Sequence, residues 1–361
     1  MFDLAEIIDI PPFSLDRQKK GELFTRALSD LTQYHQQNCH EYNQILQLLG
    51  GSKNSFSSIE DIPFIPVRLF KEYELLSVDQ AEVIKTMTSS GTTGQSVSKI
   101  FLDKYTSTNQ TKVLTKLVSS FTGKKRLPML VIDTKAVLKD RNLFSARGAG
   151  ILGFSMLGYD VTYALDERME LDWEQINAFI QKHKNEQILL FGFTFMIWEH
   201  FYKPLQSKGL QLPFENSILI HGGGWKKLID EAVDNETYKK RIFEVTGIER
   251  IFNYYGMVEQ TGSIFMECES GYLHSSIFSD VIIRDYKDFR SLGFGEQGLI
   301  QLVSLLPQSY PGHSILTEDI GELLGEDNCS CGRLGKYFKV HGRIKNAEIR
   351  GCSDTYAEGK K

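Results

Sequence analysis

The N-terminal part of the chain carries a helical pattern of apolar and polar positions. Between Arg17 and Leu49 apolar side chains recur at near-helical spacing, with no proline and only one glycine, Gly21. Gly50, Gly51 and the polar residues that follow end this pattern. The segment 61–77 contains prolines at 63 and 66, which predict an extended connection. We therefore expect a helical region over 1–85.

The pattern changes near residue 86, where short apolar runs begin to alternate with amphipathic stretches. The apolar runs are 127–134, 160–165, 187–193 and 217–224, and the helix-like stretches between them are 145–157 and 173–183. This alternation predicts an α/β core that binds ligands at the carboxyl ends of its strands. From about 263 the pattern becomes β-rich with turn signals. We therefore predict an α/β core over 86–342 and a short C-terminal segment over 343–361.

Composition and charge exclude several classes of protein. The chain has 361 residues, 41% hydrophobic and 24% charged, which is typical of a globular protein. Its net charge of −5 offers no basic footprint for nucleic acid. The most apolar run, Ile188–Trp198, is far shorter than the roughly 20 residues of a membrane span. The acidic start, MFDLAEIIDI, does not resemble an export signal, so we expect a cytoplasmic protein.

The strongest local motif is TSSGTTG at 88–94, followed by Ser96, Ser98 and Lys99. Its glycines permit a tight turn, and its hydroxyls and backbone N–H groups can surround phosphate oxygens. It is not a Walker A loop, because the G-x-x-x-x-G-K-[ST] spacing is absent. An ordinary Ser/Thr/Gly hairpin turn is the alternative. Arg147, at the start of the glycine-rich stretch, is a weaker candidate for a phosphate contact.

A second motif, NYYGMVEQTG at 253–262, follows a strand-like segment. Its Tyr–Gly pair offers a flat aromatic face for a purine beside a tight turn. Glu259, three residues after Gly256, offers a carboxylate for Mg²⁺ that bridges phosphates. Aromatic residues beside glycine are also common in ordinary turns, which is the alternative.

A third pair of segments is Thr317-Glu318-Asp319 and Gly342-Arg343. An aspartate at a strand end suits the two hydroxyls of a ribose, and an arginine suits a phosphate or the same ribose. An ordinary surface ion pair between Asp319 and Arg343 is the alternative.

The cysteines suggest a metal site. Cys268 and His274 are separated by five residues, and Cys329 and Cys331 by one. Two such pairs can supply a tetrahedral Cys₃His site for a structural Zn²⁺. The alternative is two unrelated turns with buried thiols. Cys39 lies in the helical region and is expected to be a core residue.

Together these motifs resemble the adenylate-forming enzymes. TSSGTTG-x4-K resembles the phosphate-binding signature of that family, NYYGMVEQTG its Y-G-x-x-E motif, TED its T-G-D motif, and GRIK at 342–345 its hinge. HGGGW at 221–225 resembles the loop bordering the adenine and acyl pocket. The resemblance extends over 86–352. It implies the family's large N-terminal domain, made of layered α/β sheets and a small β-rich part, with a truncated C-terminal domain.

The resemblance also implies roles for individual residues. The residues that would bind ATP or AMP are Ser89, Ser90, Gly91, Thr92, Thr93, Gly94, Gly222, Gly223, Gly224, Asn253, Tyr254, Tyr255, Gly256, Asp319 and Arg343. Lys99 and Glu259 would act in catalysis, with Glu259 as the Mg²⁺ ligand. The implied reaction is attack of a carboxylate on the α-phosphorus of ATP, giving acyl-AMP and pyrophosphate. Such a transfer depends on charge neutralisation and positioning.

Two departures from the family pattern indicate a subfamily. Few residues follow Arg343, so the mobile domain with its catalytic lysine has no counterpart, and Glu318 replaces the glycine of T-G-D. Cys352, in EIRGCSD, resembles the late cysteine of the LuxE-type acyl-protein synthetases of bacterial bioluminescence. In that family the cysteine takes a fatty acyl group as a thioester and passes it to a LuxC-type acyl reductase. The resemblance thus implies an ATP-dependent ligase with a fatty acid substrate and a reductase partner.

Two alternatives remain open. The run CSCGR at 329–333 also resembles the phenylacetate-CoA ligase branch, some members of which bind zinc there. An acyl- or aryl-CoA ligase of that type would use CoA as the nucleophile, and Cys352 would then be incidental. The other alternative is a non-catalytic subunit of a reductase complex that keeps the fold without turnover.

Overall fold

The computed structural model describes residues 2–50, 56–89, 97–138 and 146–344. These residues form two compact units. Unit 1 contains 2–50, 56–89, 97–117 and 256–344, and unit 2 contains 118–138 and 146–255. The division 1–85, 86–342 and 343–361 stays a prediction. Unit 1 joins the N-terminal helical region with the β-rich region from the second half of the chain.

Helices and strands are numbered separately, each in chain order. The α-helices are α1 Arg17–Asn38, α2 His40–Leu48, α3 Leu69–Glu72, α4 Lys104–Thr122, α5 Ala146–Ser155, α6 Trp173–Lys182, α7 Thr194–Ile197, α8 Lys203–Ser207 and α9 Asn235–Thr246. The strands are β1 Ile65–Pro66, β2 Lys85–Thr88, β3 Lys99–Leu102, β4 Leu127–Thr134, β5 Gly158–Leu165, β6 Leu189–Phe193, β7 Ile218–Gly222, β8 Arg250–Tyr255, β9 Phe265–Glu267, β10 Leu273–His274, β11 Ser279–Arg284, β12 Gln297–Ser304, β13 Ser314–Glu326 and β14 Lys336–Arg343.

Unit 2 is a parallel sheet in the order β5-β4-β6-β7-β8. Strands β6 and β7 are buried along their whole length, as expected when both faces of a parallel sheet are covered. The chain leads from β4 to β5 on one side of the sheet and from β6 to β7 on the other. The carboxyl ends of β4 and β6 therefore flank a topological switch point, where such sheets bind ligands. The predicted α/β alternation is confirmed here.

Unit 1 is largely antiparallel, with strand order β11-β12-β13-β14-β10-β9 and β1 added in parallel against β13. Strands β2 and β3 form a separate hairpin. Helix α1 begins at the cap Asp16, whose Oδ1 accepts a hydrogen bond from the Lys19 N–H at 2.9 Å. Its buried face carries Phe24, Leu28 and Leu31.

One local prediction is confirmed and another needs correction. The helical pattern over 17–49 forms α1 and α2, which are separated at Cys39, where the backbone is extended with φ −125° and ψ 107°. The segment 61–77 is not extended throughout, because α3 begins at Leu69. Proline restricts mainly the residue before it, so Pro63 and Pro66 leave the chain from residue 69 onward free to become helical. No helix in the described ranges is both long enough and apolar enough to cross a membrane.

Candidate functional site

The predicted phosphate loop connects the two strands of the β2–β3 hairpin. Thr88 pairs with Lys99 at the loop end of the hairpin. The Ser98 N–H donates to Ser89 Oγ at 2.9 Å, and the Ser89 N–H donates to the Ser98 carbonyl at 3.1 Å. The predicted ligands Ser90, Gly91, Thr92, Thr93 and Gly94 lie outside the described residues. The hairpin fixes the two points from which this loop starts and ends.

Lys99 contacts an acidic side chain next to this loop. Its Nζ lies 2.6 Å from Glu74 Oε1, and both side chains are about half exposed or more. An exposed pair of this kind contributes little to stability and exchanges easily with other partners. The catalytic role of Lys99 stays a prediction.

The two aromatic and glycine motifs of unit 2 lie side by side on β7 and β8. Asn253 pairs with His221, and Tyr254 pairs with Gly222. A Cβ atom at position 222 would overlap the Tyr254 ring, so glycine is required there. The Tyr254 ring packs in turn against Phe154, with ring centroids 5.1 Å apart. The structure thus brings Gly222 and the Asn253–Tyr255 segment together, as the resemblance implies for an adenine site.

His221 is buried beneath this motif. Its Nδ1 lies 3.0 Å from Thr194 Oγ1, and its ring packs on Tyr238 with centroids 4.6 Å apart. Burial lowers the pKa of His221 to about 3, so the imidazole is neutral at physiological pH. Among the described residues no hydrogen-bond partner reaches its Nε2. Thr194 and Tyr238 were not predicted from the sequence.

A buried ion pair lies at the switch point of the parallel sheet. Asp133 is the penultimate residue of β4, and Arg147 lies in the first turn of α5. The Arg147 Nε donates to Asp133 Oδ2 at 2.6 Å, and a second bond joins Nη2 to Oδ1. Arg147 is therefore held by a carboxylate that sequence reasoning missed. The available signal was an aspartate near the end of a strongly apolar run, followed by an arginine in a glycine-rich helix start.

Glu259 lies in unit 1, in the short 3₁₀ turn Val258–Gln260. The residue is 2% exposed. Its backbone carbonyl accepts a hydrogen bond from the Tyr310 hydroxyl at 2.9 Å. A buried carboxylate on a fixed turn has the chemistry that Mg²⁺ requires of a protein ligand.

Asp319 and Arg343 lie opposite each other on β13 and β14. The Arg343 Nε donates to Asp319 Oδ1 at 3.2 Å. Asp319 lies inside β13 rather than at a strand end, next to a register shift between Ile320 and Gly321. The structure therefore joins the two predicted ribose and phosphate contacts into one cross-strand pair.

The structure gathers Cys268, His274, Cys329 and Cys331 into one cluster. Their donor atoms all lie within 4.8 Å of one another. The Cys268 and Cys329 sulfurs are 3.9 Å apart, and His274 Nε2 lies 3.4 Å from the Cys331 sulfur. A tetrahedral zinc with Zn–S bonds of about 2.3 Å separates its ligand atoms by about 3.8 Å. The spacing of the four donors therefore fits a zinc ion.

Burial has opposite consequences for metal binding at His274 and at Cys268. Burial, together with the charges of Arg333 and Lys20, lowers the pKa of His274 to about 4, so its ring is neutral. Burial raises the pKa of the Cys268 thiol to about 12, so a bound cation would have to displace its proton. The Arg333 N–H donates to the Cys331 sulfur at 3.5 Å. Such outer contacts orient metal ligands.

The last predicted residue, Cys352, lies outside the described residues, as does Lys345 of the hinge motif. The remaining cysteine, Cys39, is 1% exposed, as expected of a core residue.

Comparison with solved structures shows the fold. The chain aligns with 2-hydroxyisobutyryl-CoA ligase in the postadenylation state, in complex with R3-HIB-AMP. The TM-score is 0.70 at 14% identity, over 95% of this chain and 72% of that chain. The predicted fold of an adenylate-forming enzyme is therefore confirmed.

Comparison with characterised sequences shows the family. The chain is 24% identical to the long-chain-fatty-acid–luciferin-component ligase of Vibrio harveyi, over 94% of this chain and 88% of that protein. It is 22% identical to the ligase of the same name from Aliivibrio fischeri, over 97% of this chain and 92% of that protein. The family model for acyl-protein synthetase, LuxE, matches residues 3–359. The chain therefore belongs to the LuxE family of acyl-protein synthetases and is a ligase.

Proposed function

We propose that this ligase activates a long-chain fatty acid with ATP and Mg²⁺ and then carries the acyl group as a thioester on Cys352. The acyl group would be delivered to a LuxC-type acyl reductase in the cytoplasm. The observation that carries the proposal is the family match over 3–359. The cross-strand pair Asp319–Arg343 and the buried Glu259 support it, because both suit a nucleotide with a bound cation.

In the first step the fatty acid carboxylate attacks the α-phosphorus of ATP. A P–O bond forms, and the bond to the leaving pyrophosphate breaks. Asp319 would accept hydrogen bonds from the ribose hydroxyls, and Arg343 would donate to ribose or phosphate. Mg²⁺, held by Glu259, would supply charge neutralisation at the phosphates. The hydroxyls and N–H groups of 89–94 would hold the phosphate oxygens in place.

In the second step the Cys352 thiolate attacks the acyl carbonyl carbon. The C–S bond forms, and the bond to AMP breaks, so AMP leaves with the electron pair. The thiol proton is lost to solvent before the attack, because the thiolate is the nucleophile. The product is an acyl thioester on the protein, which a reductase can receive.

We also propose that the Cys268–His274–Cys329–Cys331 cluster binds a structural Zn²⁺. All four ligand positions would be protein atoms, which is typical of structural rather than catalytic zinc.

The test is intact-mass spectrometry after incubation with Mg²⁺-ATP and saturated fatty acids of several chain lengths. We expect an ATP-dependent acyl adduct that neutral hydroxylamine removes and that is absent from Cys352→Ser. Cys39→Ser is the matched control and should acylate normally, because Cys39 is a core residue.

Two results would contradict the proposal. An adduct that persists in Cys352→Ser would place the acyl group elsewhere. A free acyl-CoA product formed only when CoA is added, with no protein adduct, would instead indicate the acyl-CoA ligase.

A further inference from the structure

The segment Ser309–Gly312 lies in the connection between β12 and β13 and is buried along its whole length. It turns sharply, because the Gly312 N–H donates to the Tyr310 carbonyl at 2.8 Å. A Cβ atom at position 312 would lie 2.9 Å from the Glu259 carbonyl oxygen. Only glycine therefore lets the segment pass this close to the Glu259 turn. We refer to Ser309–Gly312 as the strap.

One side of the strap holds the Glu259 turn. The Tyr310 hydroxyl donates to the Glu259 carbonyl at 2.9 Å. The Gln260 Nε2 donates to the Gly312 carbonyl at 2.8 Å and to the Leu302 carbonyl at 3.1 Å. Two consecutive residues of one 3₁₀ turn are thus hydrogen-bonded to the strap, Glu259 through its backbone carbonyl and Gln260 through its side chain.

The other side of the strap is bound to the strand that follows the phosphate loop. Ser309 Oγ donates to the Phe101 carbonyl at 2.7 Å, and the Ser309 N–H donates to Thr106 Oγ1 at 3.1 Å. Phe101 lies on β3, two residues after Lys99. The strap therefore links the strand at the end of the phosphate loop to the turn that carries the carboxylate.

We propose that Tyr310 is a positioning residue for Mg²⁺ binding at Glu259. The inference rests on the proposed function, in which Glu259 holds the cation. A carboxylate on a short turn keeps its direction only while its backbone is fixed, and Tyr310 fixes that backbone through the carbonyl of the same residue.

The test compares ATP affinity in the presence of Mg²⁺ with ATP affinity in EDTA, by isothermal titration calorimetry. For Tyr310→Phe we expect the gain in affinity from Mg²⁺ to fall about three- to tenfold, the worth of one hydrogen bond. ATP affinity in EDTA should be unchanged. Excess Mg²⁺ should restore binding.

Three further variants separate positioning from general loss of structure. Tyr34→Phe removes a similar phenol-to-carbonyl bond, from Tyr34 on α1 to the Ser77 carbonyl, and should keep the full Mg²⁺ gain. Adding Tyr310→Phe to Glu259→Gln should have no further effect on that gain. Gln260→Met removes the hydrogen bond from Gln260 to the Gly312 carbonyl of the strap and should lower the Mg²⁺ gain as Tyr310→Phe does. If Tyr310→Phe does not fold, Gln260→Met takes its place in the test.

The outcomes are distinct. An unchanged Mg²⁺ gain in Tyr310→Phe would refute the inference and leave the proposed function standing. Equal losses with Mg²⁺ and with EDTA would also refute it, because they indicate a structural role. Absence of ATP binding by the unmodified protein would refute the proposed function and the inference together.

Discussion

Asp319 and Arg343 show how two residues far apart in the chain come to act as one group. Pairing of β13 with β14 places them directly opposite, and their side chains are joined by a hydrogen bond of 3.2 Å. In the free protein each ionic group therefore already has a partner of opposite charge. A ribose that binds Asp319 would add to this pair, with the arginine keeping the carboxylate oriented.

Asp319→Asn should weaken ATP binding about 10- to 100-fold, because hydrogen bonds to a charged group contribute about 1.5–3 kcal/mol. The matched control is Glu322→Gln on the same strand. Glu322 also pairs across to β14, through His341 Nε2 at 3.1 Å, but is not a predicted nucleotide ligand. Calorimetric titration with Mg²⁺-ATP measures both. Equal losses in the two variants would indicate a general effect of strand charge and contradict the assignment.

Single residues also mark the limit of sequence reasoning. The glycine and tyrosine motifs and the four metal-ligand candidates were visible because each carries a distinctive spacing. Asp133 and Tyr310 carry none, since their importance depends on a partner that only the folded chain supplies, Arg147 in one case and the Glu259 carbonyl in the other. Such residues resemble ordinary core and strand-end positions in the sequence.

Among the secondary-structure elements, helix α1 is held by a buried histidine pair. His35 lies on α1, and its ring stacks on that of His313 with centroids 4.9 Å apart. His35 Nδ1 lies 2.8 Å from Ser77 Oγ, and Thr32 Oγ1 lies 2.9 Å from His313 Nε2. Burial lowers the pKa of His35 to about 3 and that of His313 well below its usual value.

This pair should make the protein sensitive to acid. Both histidines titrate near pH 6.5 in the unfolded chain, so below that pH the unfolded state binds protons that the native state does not. Stability contributed by the neutral rings is therefore present above about pH 6.5 and is lost as the pH falls towards the folded pKa. The expected slope is about 1.4 kcal/mol per pH unit for each histidine.

Urea unfolding at pH 7.5, 6.5 and 5.5 measures this slope. His35→Gln should reduce the slope of unfolding free energy against pH by about 1.4 kcal/mol per pH unit, because one titrating group is removed. His40→Gln is the control, since His40 is exposed at the start of α2. A slope that His35→Gln leaves unchanged would show that other groups cause the acid sensitivity.

The cysteine and histidine cluster joins elements that are distant in the chain. Cys268 directly follows β9 and His274 is the last residue of β10, whereas Cys329 and Cys331 lie between β13 and β14. We expect about one Zn²⁺ per chain by elemental analysis, because four protein ligands complete a structural site. Cys329→Ser should lose the metal and lower the melting temperature, since metal-binding energy contributes to folding.

Cys39→Ser serves as the control for that measurement, because Cys39 is buried between α1 and α2 and does not belong to the four-residue cluster. It should retain zinc. A protein that contains no zinc when purified without chelators, or a Cys329→Ser variant that keeps it, would contradict the site.

Among larger elements, the strands of unit 2 were well predicted. The run 127–134 matches β4, because parallel strands covered on both faces are continuously apolar. The break in the N-terminal helical segment at Cys39 was not predicted. Neither glycine nor proline marks it in the sequence, so no residue type signals where α1 ends and α2 begins.

The molecule as a whole has an uneven distribution of contacts along the chain. Among the described residues, unit 2 draws on 118–138 and 146–255, whereas unit 1 combines segments from before and after these. The α/β core was predicted from local alternation because its contacts are between neighbouring elements. The union of the N-terminal helices with the late β-rich region was not predicted, since no local pattern records contacts between Lys20 and Ser275 or between Ile65 and Ile315.

This discontinuity affects the order in which the two units can fold during synthesis. Helix α1 and β1 are made early, but some of their partners, among them Ser275 and Ile315, are made much later. The parallel sheet of unit 2 can form meanwhile, because its strands arrive in succession. During that interval the buried face of α1, with Phe24, Leu28 and Leu31, lacks its contacts with the late β-rich region. That face is where we expect chaperones to bind the nascent chain.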